Sequence, residues 1–194
     1  MGFLDTLLGR TKPVKPDLDQ LFGLPSAAIT LEAAAAFKPT GVGSVCFASV
    51  EGGAFAQVQQ DVQSLLDADV ERGGIAIESS RDSYGYSWMT ARQPPEDIVS
   101  LVNDVHAINS ALESTGFGPQ LLCSLVNFTD AQNRPLALVY IYKRGSFYPF
   151  APKPGGGERR DNALELEIKA MLGNDLRVEQ DLTRWFPVWG APGL

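Results

Sequence analysis

Histidine occurs once in the 194 residues and cysteine twice, which leaves little material for the chemistry those side chains carry. A zinc or other nitrogen–sulfur metal site draws three or four ligands from that pool, so none is expected, and no cofactor is expected either. Cations are in the minority: 16 Lys and Arg against 23 Asp and Glu give a net charge of −7. That balance argues against nucleic acid as a partner, and it restricts contact with anionic lipid to a local patch. No run approaches the roughly 18 consecutive apolar residues of a membrane span. The N-terminus has neither a long apolar core nor a small-residue cleavage site, so a cytoplasmic placement is expected. Cys46 and Cys123 each lie inside an apolar run, "SVCFASV" and "LLCSLV", a pattern of buried free thiols in a reducing compartment rather than of a paired motif.

What is present suits a globular chain. Hydrophobic residues make up 44% and charged residues 20%, close to globular averages, and the length fits one domain with a substantial core. Residues 1–16, "MGFLDTLLGRTKPVKP", read as a separable amphipathic and basic arm, and residues 17–194 as a single domain.

Periodicity sets the elements of that domain. Asp17 is placed to cap a first helix, and a second short helix is expected over 31–37, the two interrupted near Pro25. A strand "GSVCFASVEG" follows, and then Phe55, Val58, Val62, Leu65 and Leu66 fall on one stripe of a helix over 54–68 that Gly73 and Gly74 end. "GIAIESS" and "YGYSWMTAR" flank turn chemistry and predict a hairpin. The clearest helix spans 96–115, after Pro94 and Pro95 and before Gly116 at the position past its end. "QLLCSLVNF" and "PLALVYIYK" predict a second hairpin whose continuous apolar runs place it at the sheet's centre, and Asp161 should cap a helix over 163–172. Hairpins alternating with helices imply an α+β fold, an antiparallel sheet of about five strands with helices packed on one face.

Candidate sites are few. His106 has no serine or cysteine tied to it by spacing, so a structural or solvent-facing role outweighs general-base catalysis. Asp67, Asp69, Glu71 and Glu78 carry calcium-loop spacing, but Arg72 stands where that loop needs glycine. The long connection "KRGSFYPFAPKPGGGERRDN" is the most informative stretch. Its Gly155, Gly156 and Gly157 precede a helix start, where amides attract phosphate, yet neither the Walker nor the GxGxxG register is present. It holds the cations Lys143, Arg144, Lys153, Arg159 and Arg160, which leave two readings: an anionic or acidic partner bound there, or a solvated loop. Phe147, Tyr148 and Phe150 fit either a recognition patch or a cover for the sheet edge, with packing the better supported of the two. Trp185, Phe186 and Trp189 are expected to dock the chain end onto the domain. In the arm, Phe3, Leu4, Leu7 and Leu8 with the cations that follow suit either docking on the domain or a weak contact with a membrane surface or partner.

The strings "MGFLDTLLGRTKPVKP", "GFGPQLLCSLVNF", "YKRGSFYPFAPKPGGGERRDNALELEIK" and "RWFPVWGAPGL" together resemble the PspA-associated protein PspAB family of actinobacteria and some archaea, over essentially the whole chain. The resemblance implies a small accessory of a phage-shock-type envelope stress response. Its implied partner is PspA, a peripheral membrane-remodelling protein, or a membrane protease, and its implied location is the cytoplasm, at the inner face of the membrane. No catalytic residue comes with it, so a non-enzymatic interaction protein is the expectation, with a sensor or enzyme binding an anionic small molecule at 143–162 as the alternative. The element order also resembles the secretion-chaperone-like or YbjN-like α+β fold.

Overall fold

Alternation along the strands decides which side chains meet the helices, and six strands among the described residues provide it. The structure, a computed structural model, describes residues 16–48, 56–57, 60–64, 76–155 and 157–194. The arm residues Phe3, Leu4, Leu7 and Leu8, the acidic Asp67, Asp69 and Glu71, and the Gly73 and Gly74 stop lie outside the described residues. The strands are β1 (Lys38–Ala48), β2 (Glu78–Arg81), β3 (Tyr86–Arg92), β4 (Leu121–Thr129), β5 (Pro135–Ile141) and β6 (Ser146–Phe150). They form one antiparallel sheet in the order β2-β3-β1-β4-β5-β6. The helices are α1 (Leu24–Ala35), α2 (Ile98–Leu112) and α3 (Asn162–Met171), and residues 60–64 are also helical, with Val62 buried. The fold is α+β.

Several expectations shift. The sixth strand is β6, inside the stretch expected as a loop: all five of its residues are buried, and Pro149 is accommodated because β6 stands at the sheet's edge, where a missing donor costs little. The centre is the β1–β4 pair, with β5 one place in from the edge, rather than the β4–β5 hairpin. Pro25 does not interrupt a helix. It lies in the first turn of α1, where its absent N–H would have had no partner in any case, and the helix ends at Ala36, whose φ of 57° is left-handed. α2 starts after Asp97, whose carboxylate accepts from the Ser100 amide at 3.0 Å. Beyond Leu112 the chain widens into a π turn over Glu113–Phe117, with Gly116 at φ 90°. Asp161 caps α3 as its spacing predicts, accepting from the Leu164 amide at 3.2 Å.

Both faces of the sheet are covered. On one, Val45, Phe47, Met89, Val126, Phe128, Leu138 and Tyr140 meet Leu24, Leu31, Leu101, Val105, Ile108 and Ile168 of the helices. α2 lies so close to β1 that a Cβ on Gly43 would come within 2.8 Å of Val105, a contact that only glycine avoids. On the other face, Cys46, Trp88, Leu125, Val139, Tyr148 and Phe150 pack against Trp185, Val188 and Ala191 of the C-terminal segment, with Trp189 partly buried beside them. Helices cover one face, as the sequence predicts, and an irregular coil covers the other.

Candidate functional site

The two arginines at either end of the basic stretch are structural ties. Arg160 Nε donates to Glu165 Oε1 at 2.9 Å and Nη1 to the Trp185 carbonyl at 2.5 Å, while the guanidinium lies over the Phe150 ring at 5.1 Å. Glu165, itself buried, also accepts from the Ala151 amide at 2.9 Å. Arg144 Nε stands 3.5 Å from Glu179 Oε2. By contrast, Lys143, Lys153 and Arg159 are exposed and have no ion pair among the described residues. Phe147, Tyr148 and Phe150 are buried in β6, Phe147 toward the helices and the other two toward the C-terminal coil. The eight side chains named in this stretch therefore do not share one exposed surface.

Backbone bonds explain why the stretch is ordered. The free edge of β6 is taken up by the Arg177–Glu179 segment: the Phe147 amide donates to the Arg177 carbonyl at 2.8 Å, and the Glu179 amide to the Phe147 carbonyl at 2.7 Å. Glu179 then gathers this corner. Its carboxylate accepts from Ser146 Oγ and the Asp181 amide, both at 3.1 Å, and faces Arg144 and Arg184. Burial pushes its carboxyl up, but the Asp181 amide, the Ser146 hydroxyl and the two guanidiniums together hold it below its ordinary value.

Between the sheet and the C-terminal coil lies a cavity of about 660 Å³, within the size range of small-molecule sites. Cys46, Trp88, Leu122, Cys123 and Tyr148 form its inner wall, and Lys143, Asp82, Glu158 and Trp189 also line it. Its rim is aromatic and exposed: Tyr84 at 51%, Tyr86 at 45% and Phe186 at 62%. Polar groups inside are already served. Asp82 accepts from the Tyr84 and Tyr86 amides and from Trp88 Nε1, each at 2.9 Å. The Tyr148 hydroxyl donates to the Phe186 carbonyl at 2.7 Å, and Tyr84 donates to Glu158. The hydrogen bond to Glu158 raises the Tyr84 phenol, and burial raises that of Tyr148. The Cys46 thiol is pushed up first by its hydrogen bond to Cys123 and then by burial. These three groups therefore stay protonated at neutral pH, and the charged groups on the lining are Asp82, Glu158 and Lys143.

His106 lies elsewhere, half-buried on α2. Its ring is 4.8 Å from that of Phe22, its Nδ1 is 3.4 Å from Ser110 Oγ, and its Nε2 is 3.8 Å from Asp19 Oδ1. These separations exceed the roughly 2.6–3.2 Å at which a base takes a proton. Glu78 pairs with Arg92 through Nε at 3.1 Å. No group of three or more His, Cys, Asp or Glu among the described residues is placed to hold a metal ion, and no described helix is long and apolar enough to cross a membrane.

Sequence reasoning missed the cavity and the meeting of Cys46 with Cys123. Each cysteine was visible in its apolar run, but the register that pairs them depends on which strands become neighbours. The sequence reading that no serine is tied to His106 by spacing is also corrected: Ser110 stands at i+4 on the same helix face, a spacing that was readable.

A family model described as PspAB, PspA associated protein B, matches residues 1–193. No curated protein matches, and no solved structure does.

Proposed function

Because the chain belongs to the PspA associated protein B family, we propose that it is a non-enzymatic accessory that binds a PspA-type protein at the inner surface of the cell membrane during envelope stress. The observation that carries this reading is the match over nearly the whole chain, whose description names association with PspA. The contact surface we assign is the aromatic rim of the cavity, Tyr84, Tyr86 and Phe186, together with Lys143. Exposed aromatic side chains around an apolar recess are the groups that dominate binding energy at protein interfaces, and an acidic or apolar partner segment would meet both.

A small anion held jointly by Lys143, Arg144, Arg159 and Arg160 is less well supported. It would require Arg160 to leave Glu165 and the Trp185 carbonyl, and Arg144 to turn from Glu179. Protein binding at the rim requires neither move.

Copurification from cells under envelope stress tests the main reading: PspA should be recovered, and repeated recovery of no PspA with both proteins expressed would contradict it. Recovery of a membrane protease alone would redirect the partner assignment. Membrane placement is tested separately. If the arm supplies the lipid contact, deleting residues 1 to 12 abolishes cosedimentation with anionic vesicles, and unchanged cosedimentation assigns that contact elsewhere.

A further inference from the structure

The chain's two cysteines are direct partners in the antiparallel register of β1 and β4. Residues directly opposite on such strands project to the same face with Cα atoms about 4.5–5.5 Å apart, inside the roughly 4.4–6.8 Å over which a disulfide closes. A bulge adjoins the pair: pairing steps from Cys46 with Cys123 to Phe47 with Leu121, so Leu122 is left over. Leu121 packs with the helix-side core, while Leu122 and Cys123 both join the opposite cluster. The bulge thus delivers Cys123 onto the cavity wall beside Cys46, the kind of redirection bulges perform near sites. Both sulfurs are free, and both residues line the cavity. Cys46 is 4% exposed and stands directly opposite Cys123, which is only half-buried.

We propose that Cys46 and Cys123 are a reversible disulfide site at the wall of this cavity, oxidised by a low-molecular-weight disulfide, with Cys123 as the attacking thiol and Cys46 as the resolving one. Thiol–disulfide exchange proceeds through a thiolate and a mixed disulfide. Cys123 loses its proton and attacks one sulfur of the small disulfide, whose S–S bond breaks, and the departing thiolate takes up that proton. The Cys46 sulfur then attacks the Cys123 sulfur, expelling the second small thiolate, which takes the Cys46 proton. Two protein thiols give up two electrons and two protons, and one small disulfide becomes two small thiols. Access favours Cys123 for the first step, and the direct register favours Cys46 for the second. The closed bond would join the sheet's two central strands and span everything between residues 46 and 123, a loop long enough to restrict the unfolded chain strongly.

The test incubates the reduced full chain with oxidised glutathione, quenches in acid, and maps the cysteines by mass spectrometry after alkylation under denaturing conditions. The expected result is a cross-linked Cys46–Cys123 peptide, reversed by dithiothreitol, with thermal unfolding of the oxidised chain raised by about 5–10 °C. Cys46→Ser should retain glutathione on Cys123, whereas Cys123→Ser should stay unmodified over the same interval. Should the serine variants fail to fold, the wild-type cross-link and its thermal shift carry the test alone. Free thiols or two separate glutathione adducts in the folded wild type would overturn the site, and faster uptake by Cys123→Ser than by Cys46→Ser would overturn the assignment of roles.

Discussion

Glu179 shows how single residues hold this protein's irregular parts in place. Its carboxylate ties β6, through Ser146, to the Asp181 turn and to two arginines. Hydrogen bonds to a charged group contribute about 1.5–3 kcal/mol, so Glu179→Ala should lower the thermal midpoint by roughly 3–10 °C. Differential scanning calorimetry reads that directly. Asp130 belongs to the same class: burial pushes its carboxyl up, but the Arg134 amide and guanidinium and the Gln132 amide hold it below its ordinary value. A depressed carboxyl stabilises the fold above its unfolded pKa of about 4 and loses that contribution as pH falls through the lower folded value. Urea midpoints should therefore be flat from pH 7 to about pH 5 and fall below it, with a shallower acid limb in Glu179→Gln. Glu179 illustrates what sequence leaves hidden: it is legible only as one acidic residue near the chain end, because its partners Arg144, in the turn before β6, and Ser146, at the start of β6, lie more than thirty positions away. Gly193 is similar. Its φ is 86°, and a Cβ there would fall 2.1 Å from Asn127 Nδ2, the amide that binds the Pro192 carbonyl at 2.7 Å.

At the scale of elements, local signals were readable and long-range ones were not. Asp161 caps its helix as its spacing predicts, because the chemistry of an N-cap spans only three residues; Asp17 makes no such side-chain bond, and the cap of α2 is Asp97, inside the start at 96 that the prolines suggest. Pro25 was misplaced for a related reason: proline is read as a breaker in a helix interior and as a starter in a first turn, and the true start at Leu24 decided between them. β6 escaped because prolines, glycines and cations crowd its neighbourhood. Its strand character comes from pairing with β5 on one side and from Arg177–Glu179 on the other, neither of which is local. The C-terminal segment was expected to dock and does, through Trp185 stacked on Tyr148 at 5.9 Å and Trp189 edge-on to Phe150 at 4.8 Å. Trp185 is buried and donates to the Glu179 carbonyl at 3.1 Å. Trp185→Ala should accordingly cost about 3–5 kcal/mol, seen as a lower denaturant midpoint, whereas Phe186→Ala, at an exposed position, should leave the midpoint nearly unchanged.

For the molecule as a whole, the sheet needs two different covers, and the difference between them places the candidate site. Helices seal one face with interlocking apolar side chains. The coil over the other face leaves a recess bounded by aromatic rings, the two cysteines and Lys143. The alternation of hairpins and helices foretold the α+β class and the helix-covered face, but no local pattern marks a recess that forms only when residues 46, 82–88, 122–123, 141–148, 158 and 186–189 converge. The central claim is that this rim meets a PspA-type protein. Its most direct test is a titration of the purified full chain with purified PspA, for the wild type and for the Tyr84→Ala/Phe186→Ala double variant, with thermal unfolding run alongside. The account predicts measurable binding by the wild type and a loss of about thirtyfold or more in the variant, as expected when interface anchors worth roughly 2 kcal/mol are removed, at an unchanged thermal midpoint. No binding by the wild type, or equal binding by a folded variant, would contradict it.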